Sequence, residues 1–230
     1  MKNVIILLMK NEMKFVLRIS RARVMLLFSL FLWAQYYFSS FHTSSYKMMI
    51  TPVYLSLLSI IHSQLLYSWD SSFFSFMLTK VSREAYIKSK YYFHCFLLLI
   101  SSSIVIVMDS VKQEPIIFQT VAIAVYLLGT LPYVILLLGR FNKKPVDINK
   151  GAFMNYEGFT IMPFLLVLYL LFSIAIFYYP INYFWSESIA FYVFFALGCI
   201  GFLFRNSILK LIIIDFNFVG KNLFENYLKK

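Results

Sequence analysis

Apolar residues run along this chain in blocks of about twenty, separated by short polar segments, without the two-residue alternation of barrel strands. A helix needs roughly 20 residues, at about 1.5 Å each, to cross a hydrocarbon core about 30 Å thick. Six such spans are predicted: Val24 to Phe41, Ile50 to Trp69, Tyr91 to Met108, Ile116 to Gly139, Phe159 to Tyr179 and Tyr183 to Phe204. Pro180 crowds the turn before the sixth, so a short outer hairpin from Pro180 to Ser188 is expected there. The expected fold is an all-α integral membrane protein with one transmembrane domain over residues 1–230. Its parts are an amphipathic N-terminal segment (1–23), a six-span bundle (24–204) and a C-terminal tail (205–230).

The basic residues follow the same rhythm. Of the 21 Lys and Arg, all except Lys47 and Lys112 fall before the first span, in the second-to-third and fourth-to-fifth connections, or after the sixth. The positive-inside rule then puts both termini in the cytoplasm. Composition agrees with a membrane class: 61% of residues are hydrophobic and only 13% charged, with a mean hydropathy of +0.76. The net charge of +11 needs no nucleic acid to explain it, because basic flanks beside membrane helices meet anionic lipid headgroups.

At the N-terminus the apolar run in MKNVIILLM is too short for a signal peptide and no small-residue cleavage site follows, so no removal is expected. Lys10, Lys14, Arg18 and Arg21 recur at helical spacing around Met13, Phe15, Val16, Leu17 and Ile19. That pattern suits either a helix lying in the cytoplasmic interface or a plain basic flank. Cys95 and Cys199 sit inside predicted spans, far apart in sequence, and read as packing residues rather than a disulfide or zinc site.

Motifs for chemistry are absent. No phosphate-binding loop, HExxH, GxSxG or paired-aspartate cluster occurs, so the chain is expected to be non-catalytic and to bind no cofactor. His62 lies well inside the second span. Asp70 is two turns below it and His94 is expected near the end of span three, which favours a neutral histidine hydrogen-bonded between helices over a proton relay. Ser56, Ser59, Ser63 and Asp70 form a small polar seam on span two, suited to helix packing or to lining a substrate path. Gly198 and Gly201 offer a similar seam in span six.

Between spans two and three, WDSSFFSFMLTKVSREAYIKSK mixes a carboxylate, phenylalanines and basic residues. A helix from Ile50 to Leu78 would reach about 43 Å and must overrun the membrane or bend. Asp70 is expected at the interface, hydrated, with Phe73, Phe74, Phe76, Met77 and Leu78 beyond it in need of cover. Thr79, Lys80 and Val81 form a tip; Ser82 reads as an N-cap, with Glu84 in the first turn of the helix leading into span three. The outcome is a cytoplasmic elbow over residues 70–90.

A six-span chain with an amphipathic N-terminal helix, an acidic residue before an apolar turn, and then SRE with a Lys after it resembles the ABC type-2 exporter permeases. The segment FNKKPVDINKGAFMNYEG also resembles the second cytoplasmic loop of a poorly characterised bacterial group of such permeases, and the chain is expected to match their permease-like half. The resemblance implies a translocation half-pathway in the bacterial inner membrane. It implies coupling to separate ABC ATPase subunits that carry the ATP and magnesium, and a second permease, identical or homologous, completing the pathway. Lys80, Ser82, Arg83 and Glu84 would be the coupling tip docking on the ATPase, and Asp70 the acidic residue at the membrane exit. The outer side departs from the family, shrinking to PINYFWSES. Alternatives are a scaffold or assembly subunit of an envelope complex, a secondary transporter, and an intramembrane enzyme, for which a catalytic constellation is lacking.

Overall fold

The computed structural model describes residues 2–18, 20–39, 44–63, 66–68, 70, 80–112, 117–141 and 161–228. Every regular element among them is helical: α1 (Lys2–Arg18), α2 (Ser20–Phe38), α3 (Ser44–Leu55), α4 (Leu57–Ser63), α5 (Arg83–Val111), α6 (Ile117–Leu138) with a 3-10 turn at Gly139–Phe141, α7 (Met162–Phe184), α8 (Glu187–Leu203) and α9 (Arg205–Leu228). The elbow residues 71–79 and the loop residues 142–160 lie outside this set.

Among the described residues three helices, α5, α6 with its 3-10 turn, and α7, are long and apolar enough to cross a membrane. A fourth candidate is α8 followed by α9 to Leu223, bent by 64° at Phe204. The chain is therefore a membrane protein. Six continuous spans are not found among the described residues: α2 is apolar only over Arg23–Phe38, and the second predicted span is broken into α3 and α4 at Ser56. At the break the Leu58 amide leaves the helical ladder to donate to Ser101 Oγ on α5 at 3.2 Å, whereas the Ser56 amide still donates to the Pro52 carbonyl at 3.2 Å.

Helices α5 to α8 run up and down between two ends. At one end Thr120 near the start of α6 meets Asp109 near the end of α5, and Gln119 meets Glu187 at the start of α8. At the other, Tyr67 donates to the Leu136 carbonyl late in α6 at 3.3 Å. The pairing of α6 with α8 is the most extensive, and it depends on missing side chains. A Cβ on Gly129 would lie 2.2 Å from the Gly198 carbonyl oxygen, and one on Gly201 2.1 Å from that of Gly129. The Gly198–Gly201 seam thus packs helices, as small residues do in membranes. Tyr91 stacks on Tyr133 with ring centroids 5.1 Å apart, and Tyr133 in turn donates to the Gly201 carbonyl at 3.0 Å. Its one proton being spent there, the 3.2 Å contact between the two hydroxyls is donated by Tyr91.

Pro180 does not end α7, which continues to Phe184. The ring costs one hydrogen bond within the last turns, where the helix tolerates it. The outer hairpin shrinks to Trp185 and Ser186, whose hydroxyl accepts the Ile189 amide as N-cap of α8. The C-terminal segment is likewise no loose tail. Leu209, Ile212, Phe216 and Leu223 bury one face of α9 against α5 and α6. At the N-terminus the structure favours the helix over the plain flank: α1 packs along α5 with Ile5 and Val16 buried.

Candidate functional site

Where α1, the turn 66–70 and the first part of α5 meet, four polar side chains close on one another inside the protein. On α5, Tyr86, Lys90 and His94 follow at intervals of four and so share a face with Phe93 and Leu97. That face is buried, and Lys90 goes with it, at 1% exposure. Such a cation needs partners. Its ammonium is ion-paired with Asp70 Oδ2 at 2.7 Å and with Glu12 of α1, and Tyr86 donates its hydroxyl proton to Asp70 Oδ2 at 2.6 Å. A short turn positions Asp70, its amide donating to the Tyr67 carbonyl at 3.2 Å. Phe216 of α9 covers the cluster from below, its ring centroid 5.3 Å from that of Tyr67 and 5.7 Å from that of Tyr86.

Asp70 is thus not hydrated, as the sequence suggested, but enclosed. The reason lies in two helices whose coverage composition did not reveal: α1 brings Glu12 over Lys90, and α9 brings Phe216 under Tyr86. Two carboxylates sharing one ammonium leave one excess negative charge in a low-dielectric site. Glu12 bears the consequence: burial, reinforced by the Asp70 carboxylate and only partly opposed by Lys90, raises its pKa from 4.5 to about 7.

One turn above Lys90, His94 Nδ1 meets Ser59 Oγ at 2.8 Å, while its Nε2 is buried with no hydrogen-bond partner among the described residues. The His62 ring packs edge-on against Phe93, centroids 4.8 Å apart, and lies 5.7 Å from the ring of His94. A second histidine therefore does sit at the depth of His62, contrary to the expectation that span three would carry it away. Within the serine seam, Ser56 and Ser63 donate to the Pro52 and Ile60 carbonyls of their own segment at 2.6 and 2.5 Å; Ser59 reaches across to α5.

The N-cap of α5 takes the form its sequence indicates. Ser82 is extended and accepts the Ala85 amide at 3.2 Å, with Glu84 in the first turn. Glu84 pairs with Lys88 at 2.5 Å, and Arg83 donates to Asn217 Oδ1 of α9 at 2.5 Å. Lys80, Ser82, Arg83 and Glu84 are all exposed, unlike Asp70 sixteen residues before Tyr86. The structure does not join the tip to the seam; it joins Asp70 to Glu12 and Lys90, neither of which the motif reading singled out as a site residue. Among the described residues no group of three or more His, Cys, Asp or Glu is arranged to hold a metal ion.

The opposite end holds a second buried carboxylate missed in the sequence. Asp109 accepts Tyr36 Oη at 3.0 Å and Thr120 Oγ1 at 2.7 Å, and it is wholly inaccessible.

A helical membrane protein with buried carboxyl groups at both ends of α5 matches one family model, that of a family of unknown function, DUF5687, over residues 5–224. The chain belongs to DUF5687. No curated protein and no solved structure matches it. The match takes in α1 from Ile5 and most of α9, so the residues that close the charged cluster of this DUF5687 member, Glu12, Asp70, Lys90 and Phe216, all fall within the family's span.

Proposed function

We propose that the chain is the permease subunit of an ATP-driven exporter: six crossings, both termini cytoplasmic, in a bacterial inner membrane, paired with a second permease copy and driven by separate ABC ATPase subunits. The observation that carries this reading is the exposed, capped N-terminus of α5. Lys80, Ser82, Arg83 and Glu84 are exposed at the start of a helix of 29 residues, about 43 Å long. A partner pushing on that tip would therefore move the whole of α5. The buried Lys90 cluster and the Arg83–Asn217 contact brace the same end to α1 and α9, so the push would be shared by three helices. Gentle purification tests the proposal: a Walker-motif ATPase should accompany the protein in stoichiometric amount, and its consistent absence would overturn the assignment.

A second reading draws on the buried cluster itself. Glu12, Asp70 and Lys90 beside His94 and His62 form a buried ionisable group of the kind that marks proton-linked transport. Transport abolished by a protonophore but untouched by ATP depletion would favour this secondary-transporter reading over the exporter.

A further inference from the structure

Between α1, the first half of α5 and the start of α9 lies an open cleft of about 610 Å³. Ile6, Met9, Phe96 and Leu99 give it apolar walls, and Lys88 and Arg205 stand at its polar rim. From Lys88 to Leu99 the cleft follows α5 for about 16 Å, roughly one leaflet of a hydrocarbon core. The rim belongs to the end of the bundle where the basic segments gather. Arg205 is the informative residue. Its guanidinium lies over the Tyr92 ring at 5.9 Å, and its Nε is buried without a hydrogen-bond partner among the described residues. A buried guanidinium donor left unsatisfied calls for an acceptor, and the planar fork of arginine matches a phosphate. Lys88, whose ammonium already pairs with Glu84, retains further donors for the same anion.

We propose that this cleft binds one anionic phospholipid, its phosphate held by Arg205 and Lys88 and an acyl chain laid along Ile6, Met9, Phe96 and Leu99. A soluble anion has no use for a wall one leaflet deep, and a neutral lipid leaves the Arg205 guanidinium without a counter-charge. The combination of an apolar groove with a cationic mouth fits a lipid of the negatively charged cytoplasmic leaflet. The site holds whichever transport mechanism the bundle serves.

Two measurements on the full chain test it. The protein is placed in phosphatidylcholine nanodiscs carrying a minor fraction of phosphatidylglycerol, released, and examined for retained lipid by native mass spectrometry. Preferential retention of one phosphatidylglycerol, reduced about fivefold to tenfold in Arg205→Gln, supports the site. Equal retention of both lipids, or unchanged retention in the variant, overturns it. The second measurement needs no change at Arg205. Cys95 lines the same cleft, so in a Cys199→Ser protein its alkylation should slow at least about fivefold with phosphatidylglycerol and not with phosphatidylcholine. No slowing, or the same slowing with inorganic phosphate alone, overturns the lipid assignment.

Discussion

Lys90 of α5 and Glu12 of α1, 78 positions apart in the chain, are ion-paired at a site where their side chains keep 1% and 7% of their accessibility. Asp70 completes the pair from a third segment. Removing the lysine would leave two carboxylates facing each other out of reach of water. Lys90→Met is expected to cost about 3–5 kcal/mol, read as a large drop in melting temperature in detergent. Adding Glu12→Gln and Asp70→Asn to Lys90→Met should restore most of it. A single variant that melts with the native protein would mean that the cluster is not closed.

The same cluster gives stability a pH dependence of unusual sign for a carboxylate. Glu12 titrates near 7 when folded against an ordinary value of 4.5. Its contribution is therefore fully present below about pH 4.5 and is lost as pH rises through about 7. Melting temperature should fall between pH 5 and 8, by an amount equivalent to at most roughly 3 kcal/mol, and Glu12→Gln should flatten that fall. A native profile that rises over the same interval would contradict the burial of Glu12.

Glycines sort by the space they fill. Gly129→Ala and Gly201→Ala each drive a Cβ into backbone of the facing helix and should destabilise by about 1–3 kcal/mol. At Gly220 the nearest atom to an added Cβ is 3.4 Å away on the Phe216 ring. Gly220→Ala should be neutral or stabilise α9 by up to about 1 kcal/mol. Thermal melts of the three variants side by side decide the matter; equal effects would break the link between loss and contact.

Charge reversal at the elbow tip separates function from folding. Arg83 and Glu84 make exposed contacts of the sort worth under about 1 kcal/mol. Arg83→Glu with Glu84→Arg should therefore leave insertion and melting nearly native, while the proposed docking of this tip on an ATPase requires that it uncouple ATP hydrolysis from transport in a reconstituted complex. Unchanged coupling would remove these residues from the docking role.

The helical membrane class and the N-cap at Ser82 were legible in the sequence, because apolar run length and capping chemistry are local. So was the packing role of Gly198 and Gly201. What escaped was which face each charged residue occupies once other helices arrive. Lys88 and Lys90 look alike in a basic flank, yet at 100° per residue they stand 200° apart, and only Lys90 shares the face of Tyr86, Phe93 and His94. That signal was present. Glu12 carried a weaker one, seven residues after Ile5 and four before Val16 on the apolar side of α1. Phe216 carried one too, at helical spacing from Leu209, Ile212 and Leu223, whereas Asp109 carried none, since its burial is decided by Tyr36 and Thr120 from other segments. The second span misled for another reason: its hydropathy is continuous, and the break at Ser56 accompanies a hydrogen bond from the Leu58 amide to a serine on α5.

The spacing of Glu12 from Lys90 also bears on biogenesis. A ribosome adding about 5–20 residues per second delivers α1 roughly 4–16 s before Lys90 exists to meet it. During that interval α1 has no ammonium to pair with its carboxylate, and α9, which seals the site with Phe216, is made later still. Assembly of this end is thus ordered by translation itself, with α1 held in waiting for α9.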